Sequence, residues 1–190
     1  MAWSKAGSVN TAASGTVNIL NVSSLPNSKF YMGLFHNSTH GQNAAVRMGN
    51  STVDTSTTYN TLSSRNGANQ GSSSSTDGIR VNDNAGSSPW FSVMYIFNVS
   101  AENKLLIGNT VELRASGTAP NRNKAVGKYP STSNPIDIIQ MNSANMPSGT
   151  NFSMLGSDGV ESITVQDGAV FYETDTNKSY VLSGTTWSEL

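Results

Sequence analysis

Ser88-Pro89-Trp90-Phe91-Ser92-Val93-Met94-Tyr95-Ile96-Phe97-Asn98-Val99 is followed by a polar break, Ser100-Ala101-Glu102-Asn103. Then comes Lys104-Leu105-Leu106-Ile107-Gly108-Asn109-Thr110-Val111-Glu112-Leu113-Arg114. Side chains alternate faces along a strand, so residues of one parity share a face. Phe91, Val93, Tyr95, Phe97 and Val99 form a continuous apolar set, whereas Trp90, Ser92, Met94, Ile96 and Asn98 form a mixed one. After the break, Leu105, Ile107, Val111 and Leu113 share a parity, and Lys104, Thr110, Glu112 and Arg114 take the other. Two alternating runs joined by a short polar loop predict a β-hairpin. Its more apolar parity is expected to face the core.

The rest of the composition agrees with a β-protein. Charged residues make up only 12% of the 190 residues, with 36% hydrophobic, against roughly 25% charged in ordinary domains. Ser, Thr, Asn and Gly replace the missing charge. Exposed helix faces need Glu, Lys and Arg, so this profile argues against a helical protein. A net charge of −1 argues against charge-driven disorder. It also argues against nucleic-acid binding, which needs clustered Lys and Arg. There is no cysteine, hence no disulfide, thiolate nucleophile or cysteine zinc site. No apolar run is long enough to span a membrane, and the start lacks an apolar signal region. The expectation is a chain made in a cytoplasm without a signal peptide and independent of membranes.

Outward from the hairpin, short strands are expected throughout. Residues 1–22 hold two, around Val9 and around Val17, Ile19 and Val22. Lys29–His36 is a dense apolar strand. Asn43–Met48 is another, with Val46 and Met48 inward. Tyr59–Arg65 reads as a strand lying over the sheet, and Gly71–Ser75 as a mobile loop tip after the Asn66-Gly67 turn. Gly78–Val81, Lys124–Tyr129, Pro135–Met141 and Phe152–Gly156 complete the set. Pro130 places its strand at an edge or ends it, and Ile136, Ile138 and Gln140 share a parity.

About eight to ten short strands with turns between them, and no 3.6-residue apolar period, predict an all-β antiparallel sandwich, with a jelly roll as one such solution. Residues 1–158 form this domain. Ser157-Asp158-Gly159 is the expected hinge. Residues 159–190 form a small β-meander, with Gly168–Glu173 and Lys178–Leu182 as strands before Trp187. So few residues cannot bury an independent core. The meander is therefore expected to dock on the main domain or on a neighbouring subunit.

Two stretches carry a resemblance. Tyr95–Val99, Lys104–Ile107, Ala119-Pro120-Asn121-Arg122, Val126-Gly127-Lys128-Tyr129 and Thr132-Ser133-Asn134-Pro135-Ile136 resemble, in order and spacing, a domain of structural proteins of tailed phages, especially marine ones. Trp3-Ser4-Lys5 is similar to its opening. Phe171-Tyr172-Glu173-Thr174-Asp175-Thr176-Asn177-Lys178, with Tyr180 and Trp187, resembles a short β-motif near the ends of phage virion and tail proteins. The resemblance implies a virion structural protein with a jelly-roll-like sandwich. A capsid decoration or cement protein is the leading version, because the chain is small and shows no fibre shaft. The alternative is a tail-fibre or receptor-binding protein that holds a host surface glycan. Its partners would be other virion proteins (major capsid protein or tail proteins) and itself, as a trimer by analogy with decoration proteins on three-fold axes. No cofactor is implied.

Candidate chemistry is sparse. His36 and His40 are the only bases of their kind and no Gly-x-Ser-x-Gly elbow is present, so a nucleophile lacks its partner. Glu112, Asp137, Glu161, Asp167, Glu173 and Asp175 supply carboxylates, but nothing pairs two of them across a groove. Asp77, Asn82, Asp83 and Asn84 do not fit a calcium loop. The reading is non-enzymatic, with no catalytic, metal or cofactor residues. Trp90, Tyr129, Phe171, Tyr172 and Trp187 are the candidate ligand or interface contacts, since exposed aromatic rings serve both purposes.

Overall fold

The computed structural model describes residues 3–13, 17–38, 43–82, 88–114, 117–158, 167–184 and 186–190. The chain divides into two compact units, Met1–Gly159 and Val160–Leu190. The first contains β1 (Ser4–Thr11), β2 (Val17–Val22), β3 (Phe30–Asn37), β4 (Ala44–Asn50) and β5 (Thr52–Val53). It continues with β6 (Tyr59–Arg65), β7 (Ala68–Thr76), β8 (Ile79–Asn82) and β9 (Trp90–Phe97). β10 (Lys104–Glu112), β11 (Asn121–Tyr129), β12 (Ile138–Met146) and β13 (Asn151–Ser157) complete it. The second unit is a three-stranded antiparallel sheet of β14 (Val170–Glu173), β15 (Lys178–Ser183) and β16 (Thr186–Glu189).

The first unit is an antiparallel sandwich, as the strand spacing predicts. An eight-stranded sheet runs β1-β13-β3-β9-β10-β11-β6-β7, and a second sheet runs β2-β12-β4-β5 with β8 also on β4. One hydrophobic core joins them, with Tyr31, Phe35, Trp90, Met94, Leu106 and Phe152 from the first sheet and Leu20, Val46, Met48, Ile79, Ile139 and Met141 from the second. Burying one face of each sheet against the other is the standard route to a β core. β8 lies so close over β11 that a Cβ at Gly127 would sit 2.3 Å from Ile79 Cγ2. Only glycine allows that approach.

The spine is turned the opposite way from the expectation. Trp90, Ser92, Met94 and Ile96 face the core, as do Lys104, Leu106, Thr110 and Glu112. Phe91, Tyr95, Leu105, Ile107 and Val111 face outward. The polar members of the inward set explain how this is tolerated, because each has partners and so escapes the cost of an unpaired buried polar group. Lys104, at the first position of β10, reaches out of the sandwich end and donates from Nζ to the Val99 and Glu102 carbonyls, each at 2.7 Å. Glu112, at the other end of the strand, accepts from Asn121 Nδ2 at 2.9 Å. Thr110 Oγ1 donates to Val81 O and lies 2.9 Å from Ser92 Oγ. Asn98 accepts from the Ile136 amide at 2.7 Å and donates to Ser28 O at 3.0 Å.

Three smaller expectations are corrected in the same way. β6 is part of the eight-stranded sheet, not a layer over it: it pairs with β11 from Arg65↔Asn123 to Asn60↔Lys128. The serine run is strand, not loop tip, because β7 pairs with β6 across the Asn66-Gly67 turn. Both turn residues have positive φ, 50° and 88°, the signature of a tight hairpin turn. Of the two alternatives at Pro130 the strand takes the second: β11 stops at Tyr129, between β10 and β6 and not at an edge. In β12 the inward residues are Ile139 and Met141, while Ile138 is half-buried; Ile136 precedes the strand and is buried by the loop it anchors.

Buried hydroxyls give the sandwich a pH signature. Tyr59 OH accepts from the Met48 N–H and donates to the Met48 carbonyl, each at 2.9 Å. Burial pushes the phenols of Tyr31, Tyr59 and Tyr129 above their ordinary value. Unfolded tyrosines ionise near pH ~10, so above that pH the folded chain holds more protons than the unfolded one. Their contribution is fully present below about pH 10 and is lost as pH rises through the raised folded values. Lys104 acts with the opposite sign, since burial lowers its value and its deficit is relieved as pH climbs towards ~10.5. Above pH ~10.5 only the phenols still act, so the melting temperature should fall from about pH 10.5 to about pH 11.5. A rising melting temperature over that interval would contradict this burial.

Candidate interaction face

The outward side of the eight-stranded sheet carries a ladder of apolar side chains. Register places Leu155 opposite Met32, Met32 opposite Tyr95, Tyr95 opposite Ile107, Ile107 opposite Val126, and Val126 opposite Leu62. Six neighbouring strands thus align six apolar residues across the sheet. Adjacent rows add Phe30, Phe97 and Leu105 on one side, and Leu34 with Val93 on the other. Directly opposed side chains in such pairs support one another, so the ladder is a rigid surface.

This surface is open. Leu62, Phe91, Tyr95, Leu105, Ile107, Val111 and Val126 are 44–55% exposed. Their combined exposed area is on the order of 600 Å², at the top of the roughly 300–600 Å² of the largest patch on a typical monomer. It also approaches the ~800 Å² per partner of a standard interface. Near the β9–β10 end the face deepens into a groove of about 550 Å³ lined by Trp3, Phe30, Tyr95, Phe97, Leu105 and Ile107. Phe30 and Phe97 meet there with ring centroids 5.9 Å apart.

Charge is one-sided. Lys5, Arg122, Lys124 and Lys128 sit on the outward parity and are exposed. The only acidic side chain in the eight strands is Glu112, which faces inward. The face is therefore apolar in the middle, basic along β11 and free of carboxylates. A partner with acidic groups beside an apolar patch complements it.

No family model matches the chain, and no curated protein or solved structure matches it.

The five aromatic candidates fall into two groups. Trp90 is 2% exposed and packs on Phe35 with centroids 4.7 Å apart. Tyr129 is buried and stacks on Tyr59 at 4.8 Å. Both are core residues, and neither offers an open ring face to a sugar. Phe171, Tyr172 and Trp187 lie in the second unit and are exposed. Phe171, Tyr180, Leu182 and Trp187 share one face there, because Phe171 pairs with Tyr180 and Leu182 with Trp187. Phe171 lies 6.2 Å from Tyr180 and 6.1 Å, edge-on, from Trp187. Glu173 and Glu189 flank that cluster.

The other polar candidates lie apart. His36 is exposed at the end of β3. Asp77 pairs with Arg47 at 2.5 Å, and Asn82 is buried. His40, Asp83, Asn84 and Glu161 lie outside the described residues. Among the described residues no three His, Asp or Glu side chains converge as metal ligands.

Sequence reasoning missed Tyr95, Ile107, Val126 and Leu62 as exposed apolar residues. The available signal was that both parities of β9 are apolar. In a sandwich, a strand apolar on both sides has a second surface to cover.

Proposed function

We propose that this protein is a non-enzymatic structural subunit of a tailed-phage virion, a capsid decoration protein that grips its neighbours through the outer face of the eight-stranded sheet. The observation that supports it is the six-residue apolar ladder, whose Leu62, Tyr95, Ile107 and Val126 are about half exposed, with Lys124 and Lys128 beside it. An isolated soluble domain gains nothing from such a face, whereas a subunit buries it against a partner. The virion assignment comes from the sequence resemblance, and the tail-fibre version differs from it in position on the particle. Burial of Trp90 and Tyr129 removes two of the rings on which that version would seat a glycan.

Immunogold labelling of purified particles tests the position. Label spread over the head supports decoration; label confined to the tail favours the receptor-binding version; unlabelled particles that contain every other structural protein overturn both. The face itself is tested by Tyr95→Ser with Ile107→Ser, which should leave the circular dichroism spectrum unchanged and reduce incorporation into particles at least about tenfold, the equivalent of ~1.4 kcal/mol. Undiminished incorporation would remove this face from the assembly role.

A further inference from the structure

The net charge of −1 conceals a division. Residues 1–159 carry ten Lys and Arg against seven Asp and Glu, while residues 160–190 carry one Lys against five Asp and Glu. The first unit is thus +3 and the second −4. The segregation extends to the surfaces. The sheet face of the first unit bears Arg122, Lys124 and Lys128 beside its apolar ladder and no carboxylate. The aromatic face of the second unit bears Phe171, Tyr180 and Trp187 with Glu173 and Glu189 beside them, and Lys178, which pairs with Glu189 at 2.9 Å, leaves it net acidic. Each surface supplies what the other lacks, in both apolar area and sign of charge.

We propose that the C-terminal unit of one copy docks on the outer sheet face of a second copy. Its aromatic cluster covers the Tyr95–Ile107–Val126 ladder, and its carboxylates lie against Lys124 and Lys128. This rests on the reading above in taking the sheet face as an interface, and it adds the occupant. The sizes agree: the meander is three strands wide, as is the β9–β10–β11 portion that carries the most exposed side chains. Two sheet faces of equal width pack directly at a spacing of ~10 Å. A second copy is the source because the reading above takes this face as a contact between subunits. The two contact surfaces differ, so the contact is heterologous, giving a reciprocal dimer or a ring where the rotation closes and a filament where it does not. A sheet-on-sheet pairing of two identical faces is disfavoured, because it offers those cations no carboxylate.

The test uses the full chain. Chains with natural and with heavy nitrogen are mixed, treated with a zero-length carbodiimide and digested. Cross-links from Lys124 or Lys128 to Glu173, Asp175 or Glu189 are expected to contain mixed-isotope pairs, which only contact between copies can produce. Same-isotope links alone, or no such links, would overturn the proposal. Charge reversal gives a second readout. Arg122→Glu/Lys124→Glu/Lys128→Glu and Glu173→Lys/Asp175→Lys/Glu189→Lys should each reduce the mass in solution to the 20.1 kDa of one chain. Mixing the two variants should restore the assembled mass, since each then meets its opposite sign. If the unaltered chain self-associates and neither variant changes its mass, this docking is overturned while the assembly role of the face stands. If particle labelling fails but mixed-isotope links form, the virion reading falls and the docking stands.

Discussion

Trp90→Ala should destabilise the protein by about 3–5 kcal/mol, whereas Phe91→Ala beside it should cost under ~1 kcal/mol. Trp90 is 2% exposed, lies between Asn37 and Glu112 in the sheet, and packs on Phe35 with its ring tilted by 35°. Phe35 in turn meets Phe152 edge-on at 6.0 Å. Removing the indole opens a void among three strands, and close-packed neighbours refill such a void only in part. Phe91 is 44% exposed on the outer face, so its loss leaves no void. Urea unfolding of both variants, at dilution where chains are dispersed, measures the difference. A larger cost for Phe91 than for Trp90 would reverse the assignment of inside and outside.

Gly49→Ala should cost about 3 kcal/mol or more, through strain and not through a void. β4 turns back on itself within Gly49–Val53, with Asn50 opposite Thr52 and Gly49 opposite Val53. A Cβ on Gly49 would stand 1.8 Å from the Thr52 carbonyl oxygen. Backbone on both sides leaves no flexible group to move aside. The reversal is also tied down: Gly49 O accepts from the Asp137 amide at 3.0 Å, and Asp137 Oδ1 accepts from the Ser51 amide at 2.7 Å. Relieving the clash would break these links and displace the Met48 backbone that holds Tyr59. Thermal unfolding of Gly49→Ala checks this; a melting temperature within a degree of the unaltered chain would show that the turn can open.

These two positions also show what the chain discloses without coordinates. Alternation along Trp90–Phe97 was legible, and so was the sandwich, because period-two patterning follows directly from the pleat. The sign of the alternation was not. Phe91, Tyr95 and Ile107 are more apolar than Ser92, Lys104 and Glu112, so a count of apolar side chains chooses the wrong face. What decides it is whether inward polar groups find partners, as Lys104 does on the Val99 and Glu102 carbonyls. Those carbonyls come from the loop, and no residue code marks them. The serine run in β7 was illegible for another reason: its pairing with β6 uses backbone groups, and small polar side chains carry little strand preference. Of the exposed rings and apolar side chains, Phe171, Tyr172 and Trp187 were legible because a segment too short for a core has nowhere to hide its rings. The ladder was not, because it takes one or two residues from each of six strands. Only register brings Leu62 and Leu155 into the same row.

The order of strands in the large sheet has a consequence for synthesis. β9, β10 and β11 are neighbours in both sequence and space, as are β6 and β7, so these pairings close short loops and form quickly. β1 and β3 are different: β13 lies between them. A ribosome must therefore deliver nearly the whole first unit before its opening strand can pair in the sheet. Until Phe152 and Met154 emerge, the buried flank of β3 and the pairing edge of β1 stay open in the nascent chain. That is the interval in which strand edges recruit the wrong neighbour. The chain is thus most exposed to pairing with other copies too early just before its last core strand arrives.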